Sequence, residues 1–159
     1  MVVLRDMRSA EYSAYCEYFI DDYSKEISEN YGHAMDVAID LAEKELNRSF
    51  PNGLESGDHD LLCIEAEINH ELIVVGYLWH SKNSSEHSTF IYDFYVANDY
   101  RGNGFGKQAI SELEAQVLVD GITQIKLRVA YHNKRAFKLY QETGFIITGY
   151  NMSKKISAA

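Results

Sequence analysis

Cysteine is scarce: the 159 residues hold two, Cys16 and Cys63. They supply no disulfide framework and no C-x-x-C spacing, which excludes a stapled scaffold and a thiol-based redox or metal motif. No apolar run approaches membrane-spanning length, and the opening Met1–Asp6 meets charge too early for a signal peptide. A soluble cytoplasmic protein with no membrane partner is the expectation. Basic residues are outnumbered, 15 Lys and Arg against 24 Asp and Glu, and the net charge of −9 disfavours nucleic acid as a partner. His33, His59, His70, His80 and His87 form no helical metal pair, so no metal site is expected. Internal repeats, low-complexity tracts and linkers are absent too. At 46% hydrophobic, a chain of this length buries one sizeable core, and a single domain over residues 1–159 is expected.

What the chain does have is a glycine loop, Arg101-Gly102-Asn103-Gly104-Phe105-Gly106-Lys107, between a β-rich stretch (Phe90 to Ala97) and an amphipathic helix (Lys107 to Val119). Glycines at alternate positions permit positive φ and close approach of the backbone to a ligand. Successive N–H groups can then converge on anionic oxygens at a helix N-terminus, with Arg101 and Lys107 adding charge. Glycine can also serve simply to reverse the chain between strand and helix. No Lys-Ser or Lys-Thr follows, as a Walker loop requires. Asp120 is better explained by a capping turn before Gly121 than as the ribose partner of a dinucleotide fold.

A second segment, Asn133 to Phe145, follows a strand in which Ile125, Leu127 and Val129 alternate with Lys126 and Arg128. Asn133 suits an N-cap and Gly144 a C′ position, so a short helix is bounded at both ends, with Ala136, Leu139 and Tyr140 on one face. Here the sequence resembles the GNAT superfamily of acyl-CoA-dependent N-acetyltransferases. The R-G-x-G-x-G loop is similar to that family's pyrophosphate-binding motif, and N-x-x-A-x-x-L-Y-x-x-x-G-F to its second motif. The two occupy the last third to half of the chain; Met1 to Ser85 matches in general layout alone.

That resemblance implies an α/β fold with a mixed, mostly antiparallel sheet of six to seven strands flanked by about four helices. Along the chain, Val2 to Arg5 reads as a first strand. Tyr12, Tyr15, Cys16, Phe19, Tyr23 and Ile27 form the apolar stripe of a helix, with the tyrosines read as core or cleft wall. A second helix covers Ala34 to Leu46, with Ala38, Leu41, Ala42 and Leu46 on one face, and Asn47 to Asp58 is a loop. Strands are expected at Leu61 to Ile68, Leu72 to Trp79 and Phe90 to Ala97. In the last of these, Phe90, Tyr92, Phe94 and Val96 alternate with Ile91, Asp93, Tyr95 and Ala97. Phe145 to Thr148 and Tyr150 to Ile156 are expected to close the sheet.

Further implications of the resemblance concern chemistry. Transfer of an acyl group from a thioester to an amine needs a neutral amine, a stabilised oxyanion and a protonated leaving thiolate. Tyr140 is then the acid that protonates the coenzyme A sulfur, and the backbone N–H of Val96 or Ala97 is the oxyanion donor at a strand end that bulges open. The loop from Arg101 through Gly102, Asn103, Gly104, Phe105 and Gly106 to Lys107 holds the diphosphate of acetyl-CoA, a cosubstrate. Asn133 contacts the pantetheine, caps its helix, or does both. Asp93, the one charged side chain in its strand, is either the general base or a structural hydrogen-bond acceptor. His132 adjoins the second motif, but a lone histidine in such a turn is more often structural. Residues 1–100 carry 6 Lys and Arg against 20 Asp and Glu, net −14, and residues 101–159 carry 9 against 4, net +5. The basic part suits an anionic cofactor, and the acidic part a cationic amine acceptor, small molecule or peptide. The alternative is a non-catalytic acyl-CoA-binding sensor, which would have no need of Tyr140. An exposed strand edge offers a route to a homodimer.

Overall fold

The computed structural model describes residues 1–157. Strand β1 (Val2–Asp6) leads into helices α1 (Ser9–Tyr31) and α2 (Met35–Ser49). Strands β2 (Asp60–Ile68), β3 (Glu71–Asn83) and β4 (Ser88–Val96) then form a meander. Helix α3 (Phe105–Val119), strand β5 (Gln124–Leu127) and helix α4 (Lys134–Glu142) follow. The strands lie side by side in chain order; β1 to β4 are antiparallel and β5 runs parallel to β4.

Local signals account for the helix ends. At the start of α1, Glu11 accepts the N–H of Arg8 at 2.8 Å, and at its end Gly32 adopts φ 68° and donates to Ser28 O. This helix is longer than its apolar stripe, and it buries Tyr15, Phe19 and Ile27. Helix α2 runs through Ser49, into the expected loop, and buries Ala38, Ala42 and Leu46, whereas Leu41 faces outward.

The sheet separates two cores. On one face Leu62, Ile64, Leu78, Ile91 and Val96 pack against Ala109, Ile110, Leu113 and Val117 of α3, and each buried Ile, Leu or Val contributes about 1.5–3 kcal/mol. On the other, Cys63 and Trp79 meet Tyr15, Phe19, Leu46 and Phe50 beneath α1 and α2. The ladder between β3 and β4 slips by one residue at Tyr92, so that Trp79 faces Asp93 while His80 faces Ile91. This bulge breaks the expected alternation. Ile91 joins Phe94 and Val96 on the α3 side, and Tyr92 stacks on Trp79 on the other.

The sheet has five strands among the described residues, a correction to the expected six to seven; the four helices are as expected. Neither Phe145 to Thr148 nor Tyr150 to Ile156 is a strand. A strand needs a partner edge and a covering layer. In this segment Phe145 packs onto the core, but Ile146, Tyr150, Met152 and Ile156 lie open to solvent, and β5 offers a short edge.

Candidate active site

Past Val96 a 3-10 turn, Asn98–Tyr100, feeds the glycine loop. Gly102 and Gly104 sit at φ 80° and 79°, where any side chain costs about 1–2 kcal/mol. Among the described residues no acceptor takes the main-chain N–H of any residue from Gly102 to Lys107. Those free donors stand at the N-terminus of a 15-residue helix, where the partial positive charge of the helix concentrates. A cradle of uncommitted N–H groups, unobstructed by side chains at its two left-handed glycines, fits a diphosphate. Asn103 stiffens it by donating from Nδ2 to Tyr100 O at 3.0 Å. Gly106 has another role: a Cβ there would come within 3.1 Å of Leu139 Cδ2, so its bareness lets α3 pack on α4.

The two flanking cations are less free than the sequence suggests. Arg101 donates from Nε to Val96 O at 2.7 Å and lies over the Tyr95 ring, and Lys107 pairs with Glu142 Oε2 at 2.8 Å. The main-chain donors from Gly102 to Lys107 carry no such commitments.

Beside the loop the sheet opens. Strands β4 and β5 pair from Ser88/Gln124 to Ile91/Leu127 and no further, which leaves the β4 edge from Tyr92 to Val96 without a strand beside it. The Ala97 N–H donates to Val75 O at 2.8 Å. By the alternation of an antiparallel ladder, Val96, opposite Gly76, turns its N–H and C=O away from β3 and toward the opening. Of the two main-chain donors expected here, Ala97 is thus spent on the ladder and Val96 is available. Gly76 makes the register possible, because a Cβ there would lie 1.9 Å from Tyr95 O.

Tyr140 and Asp93 lie close to the unpaired stretch of β4 or on it. Tyr140 on α4 is buried, its ring 5.4 Å from that of Phe145 and 6.4 Å from that of Phe94, and its hydroxyl donates to no described residue. Burial, then the neighbouring Asp93 charge, push this phenol well above its ordinary value, so it stays protonated. Asp93 is turned toward α1 by the bulge, and its Oδ2 accepts from Tyr15 Oη at 2.9 Å and its Oδ1 from Tyr18 Oη at 3.2 Å. Burial pushes the carboxyl up to about 7; the Tyr15 bond opposes this, the Asp22 charge adds to it and the Tyr18 bond opposes it again. The residue keeps part of its surface open to solvent.

At the start of α4, Asn133 accepts the Ala136 N–H at 3.1 Å, the capping interaction its position predicts, and His132 is exposed next to it. Sequence reasoning passed over Tyr18, Gly76, Asp22, Glu26 and Arg135. The last three act electrostatically on Asp93 or Tyr140. Tyr18 had a signal, three residues after Tyr15 on the same helical face; Gly76 in an apolar strand had a weaker one. Among the described residues, no group of three or more His, Cys, Asp or Glu side chains is placed to hold a metal ion, and no helix is long and apolar enough to cross a membrane.

The chain thus combines a β4–β5 pair that ends early, a glycine-loop helix beside it and a buried, protonated tyrosine. Residues 12–145 match the model of the acetyltransferase (GNAT) family, and the chain belongs to that family. It is an acyltransferase, with acetyl-CoA as cosubstrate. The Bacillus subtilis protein named uncharacterized N-acetyltransferase YycN is 33% identical over 157 residues, covering 98% of this chain and 99% of its own. The crystal structure of YycN matches with a TM-score of 0.89 at 31% identity, over 99% of this chain and 100% of that one. A thialysine N-epsilon-acetyltransferase from Bos taurus is 39% identical over 74 residues, 45% of this chain and 44% of its own.

Proposed function

We propose that this enzyme moves the acetyl group of acetyl-CoA to a primary amine by direct attack within a ternary complex, without an acyl-enzyme. The observation that carries this reading is the uncommitted Tyr140 hydroxyl beside the unpaired stretch of β4, with the Asp93 carboxylate near it. The free N–H groups from Gly102 to Lys107, with Arg101, hold the diphosphate. Val96 N–H receives the thioester oxygen as negative charge develops on it. Ala97 anchors the strand end from behind, and Asn133 fixes the start of α4 and meets the pantetheine.

Proton flow follows from the two titrating groups. The acceptor arrives as an ammonium, and Asp93 takes one of its protons, leaving the electron pair on nitrogen to attack the acyl carbon. As the carbon–sulfur bond breaks, Tyr140 gives its proton to the thiolate and recovers one from the new amide nitrogen. The Asp93 proton passes to water, so the sum is one amide, one free thiol and one proton released. A thioester supplies the activated acyl carbon; the protein supplies position, charge and protons.

The acceptor in this reading is a cationic small molecule or basic peptide, received on the α1 side where Asp22 and Glu26 bias the field around Asp93. The cattle relative's name, which puts its acetyl group on an ε-nitrogen, supports an amine. A soluble cytoplasmic setting belongs to the same reading, and the outer edge of β5 is where a homodimer would form. The test is release of coenzyme A thiol from acetyl-CoA with a panel of amines, products identified by mass spectrometry. Acetylated amine with stoichiometric thiol is expected; binding of acetyl-CoA with no turnover across the panel opposes the reading.

A further inference from the structure

Resting on the reading of Asp93 as proton acceptor, the next question is what keeps that carboxylate in working form. Helix α1 delivers two phenols to it. Tyr15 and Tyr18, three residues apart on one helical face, each donate to a different oxygen, at 2.9 and 3.2 Å. One donor per oxygen leaves each a further lone pair for a proton arriving from the acceptor. The donors are neutral. A lysine or arginine in their place would hold the charged form so strongly that the carboxylate ceased to be a useful base, whereas phenols fix its orientation and leave it able to accept a proton.

The rings are held by packing that does not depend on their hydroxyls. Tyr18 lies 4.1 Å from the Tyr95 ring and 5.5 Å from Tyr77 between centroids, and Tyr15 lies 5.0 Å from Tyr77 and 6.1 Å from Phe19. Removing a hydroxyl therefore leaves the ring in place and changes the carboxylate alone. Tyr15, Tyr18, Asp22 and Glu26 of α1 and Tyr140 of α4 interact with Asp93, and Tyr77 of β3 and Tyr95 of β4 pack against the Tyr15 and Tyr18 rings. Arg128, beyond β5, lies 3.8 Å from Glu26, and Arg135 of α4 acts on Tyr140 and Asp22. The two acidic neighbours on α1 work against ionisation of Asp93, and the phenols counter them.

We infer that Tyr15 and Tyr18 are positioning residues for acetyl transfer, their paired hydroxyls locking the Asp93 carboxylate in one orientation and keeping it ionised when the ammonium arrives. In the step they support, an N–H bond of the acceptor breaks, the electron pair stays on nitrogen, and the proton moves to Asp93 oxygen while both phenols retain their own.

The test is a carboxyl-carbon NMR titration of the whole protein carrying ¹³C-aspartate, the Asp93 signal being identified by its loss in Asp93→Asn. Tyr18→Phe should raise the Asp93 midpoint by roughly one pH unit, the size expected for one hydrogen bond to a charged acceptor. Fluorotyrosine at position 18, a stronger donor that preserves the fold, should lower it. A tyrosine that only packs its ring would move neither, and midpoints unchanged in both variants overturn the proposal. Thiol release from acetyl-CoA with an equimolar mixture of short primary amines and diamines, followed against pH, completes the test. The acid limb should move with the NMR midpoint. Asp93→Asn with wild-type turnover would remove the base and the tyrosines' role with it. Asp93→Asn inactive, with Tyr18→Phe leaving midpoint and limb in place, would overturn the tyrosine proposal alone.

Discussion

Replacing Asp93 by asparagine should make the protein more stable and less active together. Between the ordinary carboxyl value of 3.8 and its value of about 7 here lie roughly three decades of proton affinity at about 1.4 kcal/mol each, so ionising Asp93 within the fold costs up to ~4 kcal/mol. Asparagine removes that cost and retains an oxygen for one phenol, but accepts more weakly than a carboxylate; about 1–3 kcal/mol of net stabilisation remains. The sign depends on pH. A carboxyl raised in the folded state binds more protons there than in the unfolded chain, so wild-type stability falls as pH climbs from about 4 to 7 and is level above. The advantage of Asp93→Asn should accordingly be absent near pH 4, grow through that window and be complete by about pH 8, where it raises Tm by about 5 °C. Thermal unfolding across pH, in parallel with thiol release, measures both. Turnover should drop by about 10²–10⁴-fold at neutral pH. A variant that is destabilised at pH 8, or whose stability parallels wild type at every pH, would refute the assignment of a desolvated, ionised Asp93.

Tyr140→Phe keeps the buried ring against Phe145 and loses only the uncommitted hydroxyl, so kcat should fall by roughly ten- to a thousand-fold with the affinity for acetyl-CoA little changed; steady-state kinetics beside a binding isotherm check this. Gly76→Ala must drive β4 away from β3 at Tyr95, where a Cβ would lie 1.9 Å from a carbonyl oxygen, so it should cost about 1–3 kcal/mol or more in denaturant unfolding and lower kcat by misplacing Val96 N–H; unchanged stability would show that the two strands are not in this register.

How much of this was legible beforehand varied with the range of the signal. Helix α4 could be bounded from Asn133 and Gly144 because caps are local chemistry, and the glycine loop could be read because positive φ at Gly102 and Gly104 is a property of those residues. The phase of β4 could not, because the slip at Tyr92 arises where β4 meets β3 and alternation within one strand carries no trace of it. The Tyr15–Asp93 and Tyr18–Asp93 contacts span 78 and 75 residues, beyond any periodicity. Nor does the sequence show that α4 brings Glu142 against Lys107. The terminal strands failed because an apolar spacing makes a strand only when another edge accepts it, and 145–156 lies largely open.

On the proposed reading, the loop from Gly102 to Lys107 seats a coenzyme A diphosphate. Calorimetric titration of the folded protein with acetyl-CoA and with CoA addresses it directly. Saturable one-to-one binding of both, weakened when Gly104→Ala distorts the left-handed turn, is the predicted result. No uptake of either at millimolar concentration would contradict it.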